Sequence, residues 1–132
     1  MEAVKIVARE LTGVEKRELY ESVGWGHLFS EPENDPMLFT VVAVLGGRAV
    51  GAASMAGNGV NCFVLRDVMV LFEFQGRGIG GLLMDAIWKW VEEEVPHGRS
   101  VILLAPEERV RFYQRHGFVG PNHGVIGMRR RT

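Results

Sequence analysis

Cysteine is nearly missing from this 132-residue chain. Its one copy, Cys62, excludes an internal disulfide framework and any multi-cysteine zinc site. A charge excess of one sign is missing too: 15 Lys and Arg against 16 Asp and Glu leave a formal charge of −1. That balance argues against a protein whose affinity for long nucleic acid comes from neutralising phosphates. Long hydrophobic runs are absent. Met37–Leu45 is nine residues long and includes Thr40, whereas a spanning helix needs about 20. Met1–Glu10 alternates charged and apolar residues without an apolar core, so no signal peptide is expected. His27, His97, His116 and His123 lack metal-ligand spacing, and Arg129–Arg131 is too short a basic run to imply a nucleic-acid partner. The expectation is a soluble cytoplasmic protein with no metal, no membrane and no nucleic acid among its partners.

What is present is an ordinary globular composition, 47% apolar, at a length that suits one domain spanning 1–132. Lys5–Arg9 reads as a short first strand. Val14, Leu19, Tyr20 and Val23 recur at near-helical spacing, and Gly24-Trp25-Gly26 ends that helix. Glu31–Pro36 is rich in turn formers. Three apolar runs follow, Met37–Leu45, Arg48–Ala56 and Asn61–Phe72, separated by Gly46-Gly47 and Gly57-Asn58-Gly59. Those separators accept positive φ, which predicts an antiparallel meander with Cys62 packed inside its third strand. The period then changes: Ile79, Leu82, Leu83, Ala86, Ile87, Trp90 and Val91 form one face of a helix from about Gly78 to Glu94, with Trp88 off the stripe. Ser100–Ala105 is a continuous apolar run suited to a strand buried on both faces. Pro106 opens a helix running to about His116, and Val125–Arg131 is a candidate last strand. A strand, a helix and a strand over 61–105 make a parallel pair, so the sheet is expected to be mixed.

The segment carrying chemistry is Gln75-Gly76-Arg77-Gly78-Ile79-Gly80-Gly81. It follows a strand and opens a helix, where unpaired N–H groups and the positive dipole end attract an anion. Glycines let the backbone approach a phosphate without a Cβ in the way. A tight strand-to-helix turn would use glycine as well, but four glycines in six residues cost more chain entropy than such a turn requires. No Lys follows them, which excludes a Walker A loop. Gly76, Gly78 and Gly81 do match G-x-G-x-x-G, so a dinucleotide-binding protein is the rival reading. Against it stand the motif's place behind an antiparallel meander and the lack of an acid at Leu104-Ala105.

Three segments taken in order, Asp67-Val68-Met69-Val70, Gln75–Gly80 and Phe112-Tyr113-Gln114-Arg115-His116-Gly117-Phe118, resemble the GNAT N-acetyltransferase superfamily. Gln75–Gly80 fits that family's phosphate loop, Q/R-x-x-G-x-G/A, in full. The resemblance implies an α+β (α/β three-layer) fold: a mixed, mostly antiparallel central sheet with a splayed parallel strand pair and flanking helices. It implies direct transfer of an acetyl group from acetyl-CoA, the cosubstrate, to a primary amine on a small molecule or a protein. A CoA-binding module of the same fold without catalysis is the alternative. A homodimer through the C-terminal strand is compatible with it.

Residue by residue, the resemblance implies that backbone groups of Val68 and Val70 bond the pantetheine arm and that an N–H near Met69–Val70 serves the oxyanion. Amides across Gln75, Gly76, Arg77, Gly78, Ile79, Gly80 and Gly81 would hold the pyrophosphate, with Arg77 adding charge or facing solvent. Phe112 would line the pantetheine channel or pack the helix. Tyr113 stands where the family keeps a general acid, and a phenol can protonate a departing thiolate. Asp67 is a weaker candidate for the base, with an Arg66–Asp67 surface pair as the plain alternative, and simple strand alternation sets Asp67 opposite both Arg66 and Val68. Glu73 is a further base candidate, more simply read as solvated in its loop. Pro106 stands where the family often has Asn, and Arg109 where it has a small residue. Trp25 and Phe29 fall in the region that often walls the family's acceptor pocket, with core packing the plainer reading for at least one of them.

Overall fold

Thr12 starts the first helix with partners four residues can supply. Its hydroxyl accepts from the Glu15 amide at 3.1 Å, and the Glu15 carboxylate accepts from the Thr12 amide at 2.9 Å. This reciprocal capping box opens α1 (Gly13–Ser22), and Arg9 braces it with a two-pronged contact to Glu15 at 2.8 and 3.0 Å. The computed structural model describes residues 3–28, 36–120, 124 and 127–132. They fall into two compact units, Met1–Ile102 and Leu103–Thr132. Most of the turn-rich Glu31–Pro36 segment, and Phe29, lie outside the described residues.

In the first unit four strands, β1 (Lys5–Ala8), β2 (Phe39–Leu45), β3 (Arg48–Gly57) and β4 (Phe63–Val70), lie side by side in chain order, all antiparallel. The expected meander is there. Gly46 and Gly47 both have positive φ, 58° and 78°, and Leu45 pairs with Arg48, the arrangement of a two-residue hairpin turn matched to strand twist. The next connection is longer. Gly57 pairs with Phe63, and Asn58 organises the five residues between by accepting from the amides of Val60, Asn61 and Cys62. Cys62 therefore sits in an exposed turn and not inside the strand, because β4 starts only at Phe63.

α2 (Ile79–Glu94) buries Ile79, Leu83, Met84, Ile87 and Val91. Leu82, placed on the buried stripe by period alone, is exposed, and Met84 takes part instead. The helix lies over the sheet face that carries Gly51, where an added Cβ would stand 3.2 Å from Leu83 and 3.4 Å from Ile79. Trp90 stacks on Phe39 of the same face at 5.2 Å. α1 packs near β3 and β4 and contributes the fully buried Leu19.

The run Ser100–Ala105 forms one parallel bridge, Ile102 with Val64, rather than a continuous strand. Leu65 N–H donates to Ile102 O at 2.9 Å and Ile102 N–H to Phe63 O at 3.0 Å. A bulge follows at once in β4, and a bulge bends and twists its strand, so an even ladder does not continue along that edge. Ile102 and Leu104 are 56% and 75% exposed, against the expected burial on both faces. In the second unit a single 3-10 turn, Glu107–Arg109, leads into α3 (Val110–Arg115), which Gly117 terminates at positive φ. Residues 127–131 of the candidate last strand carry no regular structure, and 125–126 lie outside the described residues.

Candidate active site at the bulged strand and the glycine turn

β4 has an extra residue at its centre. Ser54 pairs with Arg66 and Ala52 with Met69, so Asp67 and Val68 together face the single residue Ala53. Asp67 absorbs the irregularity at φ 54°, the only positive φ outside glycine among the described residues. The left-handed region costs an L-residue about 1–2 kcal/mol, and Asp is among the few types that visit it. Here the carboxylate is tied down: Tyr20 donates its hydroxyl to Asp67 Oδ2 at 2.8 Å, and Arg66 Nε lies 3.5 Å from Oδ1. Burial, and then the Asp67 hydrogen bond and charge, push the Tyr20 phenol well above its usual pKa, so it remains the donor. The simple alternation expected for Arg66, Asp67 and Val68 is thus overturned, because two of the three share one partner residue.

The bulge also decides which backbone groups reach the outer edge. β4 is one of the two edge strands of the four-stranded sheet. Leu71 N–H donates to Val50 O at 2.9 Å, so Val70 and Gly51 form a non-bonded pair, and the amide and carbonyl of Val70 turn outward. Asp67 takes up the irregularity, so alternation runs from Val68 to Val70 and the backbone of Val68 turns the same way. Met69 lies between them with its backbone toward β3 and its side chain buried, so it does not share the outward edge.

Beyond β4 the chain makes one 3-10 turn, Phe72–Phe74, and reaches the glycine segment. Gln75 is consumed internally: its amide donates to Phe72 O at 3.2 Å and its side-chain Nε2 to Val70 O at 3.0 Å. Gly76 and Gly78 have φ 79° and 82° with open space where a Cβ would point, so backbone angle and not crowding requires glycine there. Gly78 caps α2, its carbonyl accepting from Leu82 N–H at 3.2 Å. Among the described residues, the amides from Gly76 to Gly81 donate to no protein acceptor. Ile79 is buried and Gly80 and Gly81 lie in the helix's first turn, so the donors stand at its positive end. Arg77 is exposed, its guanidinium 5.1 Å over the Phe74 ring. Glu73 is exposed and paired with Arg48 at 3.0 Å.

A model of the GNAT acetyltransferase domain matches residues 37–120, from β2 through the glycine turn to the end of the Phe112–Phe118 segment. This chain belongs to the GNAT family. The "uncharacterized N-acetyltransferase ycf52" of Porphyra purpurea is 32% identical over 83 residues, 61% of this chain and 45% of that protein. The match thus spans less than half the length of that relative. A GNAT-family acetyltransferase structure from Streptococcus pneumoniae superposes with a TM-score of 0.71 at 26% identity, covering 98% of this chain and 100% of that one. An aminoglycoside N-acetyltransferase, AAC(6')-Iy, solved in complex with CoA, shares the fold: TM-score 0.65, 19% identity, 100% of this chain and 97% of that one. The α+β GNAT architecture anticipated from three short segments is therefore the one the chain adopts.

In the second unit of this GNAT domain, Tyr113 lies in α3 with its ring against Phe112 at 5.0 Å and Phe118 at 6.0 Å, both edge-on. Phe112 also tilts against His116 at 4.9 Å, so its ring packs within the helix as well as against Tyr113. Burial raises the Tyr113 phenol above its ordinary pKa, and the nearby Arg109 charge pulls it down by less. The phenol is therefore protonated at neutral pH. Among the described residues no helix is long and apolar enough to cross a membrane, and no three His, Cys, Asp or Glu side chains converge as a metal site.

Two residues of the site escaped the sequence. Tyr20 looked like one more apolar position on α1, and only the fold brings it to Asp67, 47 residues away. Gly51 left a legible trace, a glycine inside an otherwise β-forming run, which marks close approach of another element. A Cβ there would stand 2.9 Å from the Met69 carbonyl oxygen, beneath the first turn of α2.

Proposed function

We propose that this GNAT domain transfers the acetyl group of acetyl-CoA directly to a primary amine. The observation that carries the reading is the row of unpaired amides from Gly76 to Gly81 at the positive end of α2, directly after a strand whose outer edge presents Val68 and Val70. A diphosphate is the ligand such a row suits, since it offers several acceptor oxygens to converging N–H groups. The pantetheine arm, with its two amides, suits the outward carbonyl of Val68 and the Val70 N–H. The Val70 carbonyl is already held by Gln75. Gln75 therefore serves the turn's shape rather than the phosphates, and Gly76, Arg77, Gly78, Ile79, Gly80 and Gly81 supply the amides. The CoA complex of the aminoglycoside enzyme of the same fold supports the choice of cosubstrate.

In the proposed reaction the neutral amine nitrogen attacks the thioester carbonyl carbon, forming the C–N bond and an oxyanion. With the arm on the Val68 carbonyl and the Val70 N–H, the outward N–H of Val68, farther from the glycine turn, is the donor for that oxyanion. Collapse breaks the C–S bond, a proton passes to the leaving thiolate, a role the family resemblance gives to the Tyr113 phenol, and water takes the proton lost by the ammonium. The raised pKa of Tyr113 keeps that proton in place until the thiolate forms. Phe112 packs against the acid and sets its ring.

The test is thermal: acetyl-CoA should raise the melting temperature, and NAD should not. Free thiol should then appear when an amine panel of polyamines, amino acids, aminoglycosides and peptide N-termini is added. A shift without thiol release from any amine would favour the non-catalytic CoA module. A shift with NAD alone would favour the dinucleotide reading.

A further inference from the structure

Asp67 is the one strand residue near the site whose backbone departs from the β region, and its carboxylate is held from another element. We propose that the Tyr20–Asp67 hydrogen bond is a positioning device that holds the β4 bulge in the shape presenting Val68 and Val70 at the outer edge, and that Asp67 is not the general base; this rests on the acetyl-CoA reading above. Without the extra residue, Leu65 and Met69 would lie on the same face and the outward sequence of backbone groups would run through Leu65, Asp67 and Met69. With it, Leu65 lies opposite Met55 and Met69 opposite Ala52, and the outward groups become those of Val68 and Val70. The bulge thus selects which amides face a ligand.

What keeps the bulge at Asp67, and not one residue earlier or later, is local chemistry. Asp tolerates φ 54°, which Val68 and Met69, branched or bulky, do not. Its carboxylate takes the Tyr20 hydroxyl at 2.8 Å on one oxygen and has Arg66 Nε at 3.5 Å from the other. Tyr20 itself is held: it is buried, its ring meets Trp25 edge-on at 6.0 Å, and Lys16 Nζ lies 5.6 Å from the ring centre. A carboxylate engaged on both oxygens and committed to a bulge is poorly placed to accept a proton from an incoming amine. The same element that carries Tyr20 also places Ser22, whose hydroxyl accepts from the Phe72 amide at 2.9 Å. α1 therefore fastens β4 at its bulge and the start of the 3-10 turn that leads into the glycine segment.

Four proteins decide the matter: the unaltered chain, Tyr20→Phe, Asp67→Asn and Asp67→Ala. Two measurements are made on each: steady-state kinetics with acetyl-CoA across pH, and amide hydrogen exchange of residues 66–70 in the free protein. Asn tolerates the left-handed region and its side-chain oxygen accepts from Tyr20, so Asp67→Asn should keep KM within about twofold and leave the pH profile of kcat unchanged. Tyr20→Phe and Asp67→Ala should raise KM for acetyl-CoA by about five- to tenfold, speed exchange at the β3-paired amides of Arg66 and Met69, and lower kcat by a smaller factor than KM rises. A loss in Asp67→Asn of about a hundredfold or more in kcat, with its acid limb gone, would make Asp67 the base and overturn the proposal. So would Tyr20→Phe with a lowered melting temperature but unchanged KM and exchange. If the unaltered chain binds no acetyl-CoA, the acetyltransferase reading fails. The exchange measurement then still decides the positioning claim: faster exchange supports it and unchanged exchange overturns it.

Discussion

The side-chain amide of Gln75 reaches back to the carbonyl of Val70 across 3.0 Å, joining the glycine turn to the last residue of the strand that precedes it. Turn and strand edge are thereby set relative to each other before any ligand arrives. Preorganisation of this kind lowers the ordering cost that binding would otherwise carry. Gln75→Ala should weaken acetyl-CoA binding by about fivefold, the scale of one ordinary hydrogen bond, while the melting temperature moves little. Calorimetric titration of the variant checks it.

Gly51 is the floor under the start of α2. A Cβ at this position would press on the Met69 carbonyl oxygen at 2.9 Å, and a backbone oxygen in a paired strand has little room to yield. Gly51→Val should cost about 1–3 kcal/mol in urea unfolding, the range for overpacking, and should displace the first turn of α2. An unchanged midpoint would show that the helix does not rest on this contact.

Tyr113 is expected to act as an acid, and burial is what keeps it one. Since its pKa is raised, kcat should hold level through neutral pH and decline only on the alkaline side of an ordinary phenol. Tyr113→Phe should lower kcat by about a hundredfold, within the range for a lost general acid, with acetyl-CoA affinity nearly unchanged. Equal kcat in the variant would remove the residue from the reaction.

Glu15 gives the fold an acid-side signature. Its carboxyl is lowered from an ordinary 4.5 to about 2, first by the hydrogen bond from Arg9 and then by the Thr12 contacts against an opposing burial effect. A carboxyl with a depressed folded-state pKa stabilises the fold above the unfolded value. That contribution fades as pH falls from about 4.5 to 2. The pair is at the surface, so Glu15→Gln should lose only about 0.5 kcal/mol at pH 7 and nothing at pH 2. Urea midpoints at the two pH values measure the difference.

Much of this is legible in the sequence. The β2–β3 hairpin was written in Gly46-Gly47, the strand-to-helix turn in Gly76 and Gly78, and the buried face of α2 in most of its period-3.6 stripe. These are local rules, in which a residue's own backbone preference decides its structure. The bulge at Asp67 was not legible, because its position is set by a hydroxyl 47 residues away and by pairing with β3. Cys62 lies outside the strand for a related reason: Asn58 gathers three amides into a turn that period alone reads as strand. The run Ser100–Ala105 has every propensity of a buried strand, yet sheet pairing depends on the neighbouring edge, and that edge is interrupted by the bulge at Asp67 and Val68.

The central claim is that the open amides of the glycine turn hold the diphosphate of the cosubstrate. Two-dimensional amide NMR during titration with acetyl-CoA addresses it residue by residue. The largest shifts should fall on Gly76 to Gly81 and on Val68 and Val70, and Gly78→Glu should abolish them. Saturation with acetyl-CoA that leaves those amides unmoved, or no saturation at all, would contradict it.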